Sequence, residues 1–406
     1  MPNTFLHPFT NPSWGQEDLI NVVKAKGSIL WDDKGKDYVD GLASLWLCHV
    51  GHDEKRIINA VTEQMNTLAT YNTFAPFTND VAVRAADAVA EVSPHPDGRV
   101  FFASSGSESI DTALKISRLI QQRRGHADKQ IIVKRTRGYH GVNFGGTSAQ
   151  GIETNRTGWG DLVPHFMEAP ADDIEAMASI FAQHGPNIAA VLTEPLQGAG
   201  GVFPPPDGYL EGLRRLCDDH NALMIFDEVI CGFGRTGSWF GAQTFGVTPD
   251  LITFAKGVTS GYQPVSGVIM SKQVGEELET LGDLLRHGYT YSGHPAGMAA
   301  VMANIQVIKD DGLVERANYV GEKISAGLQA LQDDGMIESF DGVGAIWGAE
   351  LGRNAVPVRD HMLHVNGVVV RPVYTRIAMC PPLILTDDEI ARLLDSLAEG
   401  LTVTTE

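Results

Sequence analysis

The feature that most constrains the fold is a repeated alternation, in the middle of the chain, between short apolar runs and helical patterns. The apolar runs lie at 99–104, 130–135, 188–195, 223–229, 251–256 and 264–270. Continuous apolar runs of this length are typical of strands that are buried on both faces. Helical stretches such as residues 208–222 separate several of these runs. This order predicts an α/β domain with a mostly parallel sheet.

The two ends of the chain have a different pattern. Residues 27–41 alternate around an Asp-Lys-Gly turn, which predicts a small antiparallel hairpin. After about residue 290 come a long helix near 315–333, short strands and a final helix at 386–401. We therefore expect both chain ends to form one smaller α+β domain. The predicted boundaries are 1–50 for its N-terminal segment, 51–289 for the large domain and 290–406 for its C-terminal part.

The composition limits the partners of the protein. The formal net charge of −19 over 406 residues would repel a phosphate backbone, so nucleic acid is not an expected partner. The four cysteines are scattered without a Cys-x-x-Cys pair, which fits a reducing cytoplasm. No apolar run is long enough to span a bilayer, and the N-terminal residues lack a secretory signal. The histidine pairs His49/His52 and His361/His364 have no third ligand nearby in sequence, so we expect no metal.

Residues 104–108, Ser-Ser-Gly-Ser-Glu, connect the first of these strands to a helical pattern. Ser105 and Glu108 have the spacing of a capping box. The free backbone N–H groups of Gly106 and Ser107 at such a helix start would bind an anion. Taken alone, the pattern fits a well-capped helix as well as it fits a phosphate site.

Two acidic residues, Asp227 and Glu228, lie at the end of the apolar run 223–229. Open α/β sheets bind ligands at strand ends, and a buried carboxylate there needs a cationic partner. The protonated nitrogen of a pyridine ring would be a suitable partner for Asp227. A solvated acid at the strand tip is one alternative. A metal ligand of a nucleotide hydrolase is another, but the chain has no phosphate-loop motif to support it.

Lys256 ends the apolar run 251–256 and enters a glycine-containing turn. Lysine is seldom buried without a function, and desolvation lowers its pKa toward that of a nucleophilic amine. A lysine whose amine extends to the surface is the alternative.

Three weaker candidates are the segments 137–141, 287–295 and Glu194 at a strand end. Their aromatic residues would be able to stack on a flat ring, and Thr290 would be able to contact a phosphate. Residues 232–237 match the G-x-G-x-x-G pattern, but no long amphipathic helix follows, which argues against a dinucleotide site.

Taken together and in this order, these segments resemble the class III (ω-amino group) aminotransferases of the fold-type I pyridoxal-phosphate superfamily. The resemblance extends from residues 7–10 to 381–383. The stretches 41–52 and 137–156 are most similar to the ω-amino acid (β-alanine)–pyruvate aminotransferases. The motifs that carry the resemblance are SGSES, RGYHG, EPLQGAGG, IFDEVICGFGRTG, FAKG and HGYTYSGHP.

The resemblance implies an α/β fold with a mostly parallel seven-stranded central sheet. It also implies pyridoxal 5′-phosphate as the cofactor and a homodimer with active sites at the interface. Lys256 and Asp227 match the catalytic residues, and Trp46, Tyr139 and Arg371 match the substrate contacts. The expected cofactor contacts are Ser105, Gly106, Ser107, Tyr139, His140, Glu194, Asp227, Val229, Lys256 and Thr290, the last donated by the neighbouring subunit.

The implied reaction transfers an amino group from an ω-amino acid or primary amine to pyruvate, in two stages through pyridoxamine phosphate. One alternative is a class III enzyme that uses 2-oxoglutarate, of the 4-aminobutyrate or ornithine type. Another is an enzyme similar to diaminopelargonate synthase, and a third is a non-catalytic binding protein on the same fold. The chain is shorter than usual for the class near 271–286 and 352–362, which border the pocket entrance in relatives.

Overall fold

The computed structural model describes residues 4–280 and 282–404. The strands, in chain order, are β1 Val22–Lys26, β2 Ile29–Asp32, β3 Asp37–Asp40, β4 Arg99–Ala103, β5 Ile131–Arg135, β6 Phe166–Ala169, β7 Ile188–Thr193, β8 Leu223–Asp227, β9 Leu251–Phe254, β10 Ser266–Met270, β11 Ser339–Val343, β12 Ile346–Glu350, β13 Val368–Val369, β14 Arg371–Val373 and β15 Arg376–Met379. The helices are α1 Ala43–Trp46, α2 Lys55–Thr67, α3 Asp80–Val92, α4 Gly106–Arg123, α5 Phe144–Ala149, α6 Ile174–His184, α7 Tyr209–Asp219, α8 Gly241–Thr244, α9 Lys272–Glu279, α10 Pro295–Asp310, α11 Leu313–Asp333, α12 Val356–His361 and α13 Asp387–Val403.

The largest sheet has seven strands in the order β4-β10-β9-β8-β7-β5-β6. The β9-β8-β7-β5-β6 pairs are parallel, and β10 is antiparallel to both of its neighbours. The mostly parallel sheet predicted from the apolar runs is therefore confirmed. The strand β6 was not among those runs, because only four residues form it and they are less buried than those of the central strands.

The central strands are apolar on both faces because each face has its own core. Leu223 and Ile225 of β8 pack in the cluster that includes α4, whereas Met224 and Phe226 pack in the cluster that includes α6 and α7. Side chains alternate across a strand, so a strand covered by helices on both sides needs a continuous apolar run.

Both chain ends contribute to one smaller sheet of four strands in the order β1-β2-β3-β13. The predicted hairpin is present as β2 and β3, and β13 joins β3 in parallel, with Val368 opposite Val39. A third sheet, β11-β12-β15-β14, is antiparallel. Residues 367–372 divide between two sheets, because Val368–Val369 form β13, Arg371 begins β14, and Val370 lies between the two strands. The domain boundaries after residues 50 and 289 stay a prediction.

The carboxyl ends of the parallel strands lie at one edge of the large sheet. There β7 is followed by Glu194, β8 ends at Asp227, and β9 is followed by Lys256 after one residue. Neighbouring parallel strands end at the same edge, so these three polar residues are brought together by topology. Within the described ranges, no helix has both the length and the apolarity that a membrane-spanning helix requires.

Candidate active site

A cavity of about 660 Å³ opens above this edge of the sheet. The chain ends also contribute to it, through the N-terminal segment and through β14. The residues that line it are Pro8, Phe9, Leu45, Trp46, Gly106, Ser107, Ile110, Tyr139, His140, Gly141, Ile152, Asn155, Glu194, Ala199, Asp227, Val229, Ile230, Ala255, Lys256, Arg371, Pro372, Val373 and Tyr374. The cavity thus lies between the large sheet and the smaller sheets, where a ligand would be enclosed by both.

Asp227 is held in the cavity floor by three protein donors. Its Oδ1 accepts a hydrogen bond from the Val229 N–H at 3.1 Å and from the Thr253 hydroxyl at 3.2 Å. Its Oδ2 lies 2.8 Å from Nδ1 of His140, which donates because the carboxylate only accepts. Asp227 is 4% exposed. A carboxylate fixed in this way has a defined orientation toward a cationic ligand atom in the cavity.

Lys256 follows β9 in a tight turn with a φ of 46°, a left-handed conformation that is rare for a residue with a side chain. Its amine lies at the cavity, and burial lowers the pKa of the amine although Asp227 and Glu194 act in the opposite direction. A lowered pKa increases the neutral fraction of the amine, which is the nucleophilic form.

The N-terminus of the 18-residue helix α4 forms another part of the cavity wall. Gly106 approaches Val229 closely, since a Cβ on this glycine would be 3.3 Å from a Val229 methyl group. Ser105 accepts from the Glu108 N–H, as in the predicted capping box, but the Glu108 carboxylate accepts from Ser104 N–H instead of Ser105 N–H. Gly106 and Ser107 are the first residues of α4, so their N–H groups have no acceptor within the helix and suit an anion.

Glu194 is a buried carboxylate next to the aromatic residue of the site. Its Oε1 accepts from the Tyr139 N–H at 3.0 Å, and its Oε2 accepts from the Gly198 N–H at 2.9 Å. Burial raises the pKa of Glu194. Within residues 4–280 and 282–404 it has no ion pair with Arg371. In this conformation Glu194 therefore orients the Tyr139 backbone and does not hold the arginine.

Arg371 begins β14 and extends to the cavity from the side opposite the large sheet. In the described part of the chain no carboxylate pairs with it, and its Nε is buried without a hydrogen-bond partner. Burial lowers the pKa of Arg371, yet a guanidinium remains charged at any physiological pH. A half-buried guanidinium with no carboxylate partner among the described residues indicates a site for an anionic ligand group.

Most of the predicted site residues share this cavity: Trp46, Gly106, Ser107, Tyr139, His140, Glu194, Asp227, Val229, Lys256 and Arg371. Ser105 does not line it, because its side chain caps α4 and is exposed. Thr290 also lies outside the cavity of its own chain, on an exposed turn before α10.

Sequence reasoning missed several residues of the cavity wall. Phe9, Leu45, Ile152 and Tyr374 add apolar or aromatic surface around its outer part. Such residues have no sequence signal of function, because single apolar residues in loops look like ordinary packing. Thr253, which donates to Asp227, had a weak signal: a polar residue within the buried run of β9.

Residues 11–401 of the chain match the family Aminotransferase class-III. The chain is 39% identical to the beta-alanine–pyruvate aminotransferase of Pseudomonas aeruginosa, over 76% of this chain and 74% of that protein. It is 32% identical to the gamma aminobutyrate transaminase 3 of Solanum lycopersicum, over 98% of this chain and 83% of that protein. The crystal structure of the omega transaminase of Pseudomonas jessenii in complex with PMP superposes with a TM-score of 0.92, at 32% identity, covering 98% of this chain and 96% of that one.

The fold and the site define a transferase of fold-type I, with its cofactor pocket at the carboxyl edge of a mostly parallel sheet. The chain belongs to the class III aminotransferases, so it is a pyridoxal-phosphate-dependent enzyme that transfers amino groups. The residues present fit this cofactor. The cavity offers an amine for an aldehyde, a fixed carboxylate for a pyridinium, and helix N–H groups for a phosphate.

Proposed function

We propose that the protein transfers the amino group of an ω-amino acid or a primary amine to pyruvate. The observation that carries the proposal is the unpaired guanidinium of Arg371. Of the described residues that line the cavity, Lys256 and Arg371 are the only lysine and the only arginine. Pyruvate has one carboxylate, which Arg371 would bind through two parallel N–H donors. A second carboxylate, as in 2-oxoglutarate, would meet no second arginine or lysine there.

The outer part of the cavity supports the donor class. Phe9, Leu45, Ile152 and Tyr374 present apolar and aromatic surface to the space that leads to Lys256. A methylene chain or a hydrophobic substituent that packs on this surface stabilises the bound state, because apolar surface is removed from water. An ω-amino acid would place its methylenes here and its carboxylate on Arg371.

Lys256 would hold the cofactor through its Nζ. Its lowered pKa supports attack on a carbonyl carbon, and the released amine is then available to take up and return the proton at the substrate carbon. Bound pyridoxal phosphate supplies an aldehyde and an electron-accepting ring. Asp227 would keep a proton on the ring nitrogen, and His140 and Thr253 fix the direction of its carboxylate.

The remaining assigned residues would bind and orient. Gly106 and Ser107 offer N–H groups to a phosphate at the α4 N-terminus. Val229 and Tyr139 line the cavity and are the candidates to contact the two faces of the ring, and Trp46 would border the substrate. Fixing the ring fixes which substrate bond is aligned for cleavage.

We also propose a cytoplasmic homodimer in which Thr290 and the helix-capping Ser105 act at the phosphate end of the site. Thr290 is exposed and lies outside its own chain's cavity, which supports donation to a neighbouring subunit. Exposed aromatic residues close to this turn in sequence or structure, such as Phe74 and Tyr291, support burial against a second copy. All four cysteines are free and buried, which supports a reducing compartment.

The proposal is tested by initial rates with β-alanine as donor and either pyruvate or 2-oxoglutarate as acceptor. We expect kcat/KM for pyruvate to exceed that for 2-oxoglutarate by at least about tenfold, since one unpaired carboxylate in the cavity costs more than about 1.4 kcal/mol. Equal or faster turnover with 2-oxoglutarate would contradict the acceptor assignment and favour an enzyme of the 4-aminobutyrate type. No turnover with any donor and acceptor would contradict the amine–pyruvate activity as a whole.

A further inference from the structure

The five residues that begin with Lys256 form a turn that the backbone does not favour by itself. Lys256 has a φ of 46° and Ser260 a φ of 50°, so two residues with side chains adopt the left-handed region. Each such residue costs on the order of 1 kcal/mol, and the conformation persists only if surrounding contacts hold it. The position of the Lys256 amine depends on this turn.

Asn304 of α10 holds this turn from the side away from the cavity. Its Nδ2 donates to the Gly257 carbonyl at 2.8 Å and to the Val258 carbonyl at 3.0 Å. Its Oδ1 accepts from the Ser260 hydroxyl at 2.7 Å. The Asn304 side chain thus contacts three of the four residues that follow Lys256.

The orientation of the Asn304 amide is fixed by its partners. Two backbone carbonyls only accept, so the atom next to them must be the nitrogen with its two hydrogens. Asn304 is 0% exposed, and its three observed hydrogen bonds use both N–H donors and one acceptor site. Loss of the amide would leave the carbonyls of Gly257 and Val258 without their buried donor, which costs more than the bonds themselves contribute.

A second contact restricts the same turn. The imidazole of His49 lies against Gly257, where an added Cβ would be 2.3 Å from a ring carbon. The His49 Nδ1 is 2.9 Å from the Phe233 carbonyl, so the ring itself is fixed. The turn is therefore enclosed between His49 on one side and Asn304 on the other.

We propose that Asn304 is a positioning residue for the catalytic lysine. It lies outside the cavity lining and acts through the backbone of residues 257–260, which determines where the Lys256 amine points. This inference rests on the proposed role of Lys256. A displacement of about 1 Å at a reacting group can reduce a rate by about a hundredfold, so a contact far from the substrate is able to control turnover.

The experiment compares two variants that each remove a buried amide. Asn304→Leu keeps the number and branching of the side-chain heavy atoms. Gln121→Met is the matched control, because Gln121 is also 0% exposed and its Nε2 donates to the carbonyls of Ala189 and Asn221. Both variants should lower the melting temperature of the cofactor-free protein to a similar extent.

Only Asn304→Leu should change the chemistry. We expect its kcat to fall by about tenfold or more with little change in KM. We also expect the pH midpoint of the absorbance of the cofactor-bound enzyme to shift, because the environment of the lysine nitrogen changes. Gln121→Met should leave both quantities as in the wild type.

Three outcomes are informative. If Asn304→Leu loses stability like the control but keeps the wild-type kcat and absorbance midpoint, Asn304 is merely structural and the inference is wrong. If Asn304→Leu does not fold, Ser260→Ala, which removes one bond to the Asn304 amide, must show the same changes at smaller size, and their absence overturns the inference. Borohydride reduction of the wild type, followed by peptide mapping, distinguishes failure of this inference from failure of the proposed function. A label on a residue other than Lys256 would refute the proposed function.

Discussion

The two walls of the cavity are built in opposite ways. On the large-sheet wall, the carboxylates of Asp227 and Glu194 are already bound by protein donors. On the opposite wall, Arg371 has no carboxylate partner among the described residues, and its Nε is buried without a bond. A wall with satisfied groups keeps its geometry whether or not a ligand is present, whereas a wall with a free charge gains most when an anion arrives. The large-sheet wall, which we propose to hold the cofactor, is therefore preorganised, whereas the Arg371 wall, which we propose to bind the substrate, is open to exchange.

The strongest test of the preorganised wall is Lys256→Ala. We expect activity to fall by on the order of 10⁴-fold or more, since both the nucleophile and the proton carrier are lost. The measurement is the steady-state rate with β-alanine and pyruvate, together with borohydride labelling. An unlabelled variant with an unchanged melting temperature would show that only chemistry was removed. Near wild-type turnover would remove Lys256 from the mechanism.

Asp227→Asn tests the charge on the same wall without changing its shape. The amide is able to keep its contact with Thr253 but presents no fixed negative charge to a ring nitrogen. We expect kcat to fall by about 10³-fold, because breaking a buried charge pair costs roughly 3–5 kcal/mol. The check is the rate of the half-reaction with amine alone. Asp227→Glu is the control that keeps the charge. Complete loss of activity in Asp227→Glu together with retained activity in Asp227→Asn would contradict the electrostatic role.

Glu228, the residue after Asp227 on the large-sheet wall, makes the stability of the protein depend on pH. Its oxygens accept from the N–H groups of Gly241 and Ala242, both at 2.7 Å, and burial raises its pKa to about 7. A raised pKa means that the folded protein keeps a proton that the unfolded chain releases earlier. Its contribution to stability is therefore present below the ordinary value near 4.5 and is lost as the pH rises through about 7.

Glu228→Gln measures this effect, since glutamine does not titrate. We expect the unfolding free energy of the wild type, relative to that of the variant, to decrease by roughly 2–3 kcal/mol between pH 5 and pH 8. Urea unfolding at several pH values gives this difference, and the other titrating groups cancel between the two proteins. A difference that stays constant with pH would show that Glu228 does not titrate in this range.

The same contrast explains what the sequence could and could not predict. The large-sheet wall was predictable because Asp227, Glu194 and Lys256 lie at the ends of apolar runs. The parallel strands formed by those runs end at one edge of the sheet. The assignment of particular roles to them came from the resemblance to class III aminotransferases. Composition and periodicity alone left a capped helix, a solvated acid and a surface lysine open as alternatives.

The Arg371 wall was less predictable because it is assembled from distant segments. Phe9 and Tyr374 meet in the cavity although more than half of the chain separates them in sequence. The division of 367–372 between two sheets places Arg371 at the start of β14, and no local pattern indicates such a change of partner. The contacts of Asn304 could not be predicted for the same reason, since its partners lie on a turn that is distant along the chain.

The smallest expected effect is that of substituting Arg371, and it tests whether the Arg371 wall binds a carboxylate. In Arg371→Leu we expect kcat/KM of the half-reaction with pyruvate to fall by about 30-fold, which corresponds to about 2 kcal/mol for a charge-assisted hydrogen-bond pair. The half-reaction with a primary amine that has no carboxylate should keep its rate, because that donor makes no use of the guanidinium. For Arg371→Lys we expect a kcat/KM with pyruvate between those of the wild type and Arg371→Leu, since lysine keeps the charge but lacks the planar pair of donors. Equal losses with both substrates would mean that Arg371 shapes the cavity and that the carboxylate binds elsewhere, so the contrast between the two walls would no longer hold.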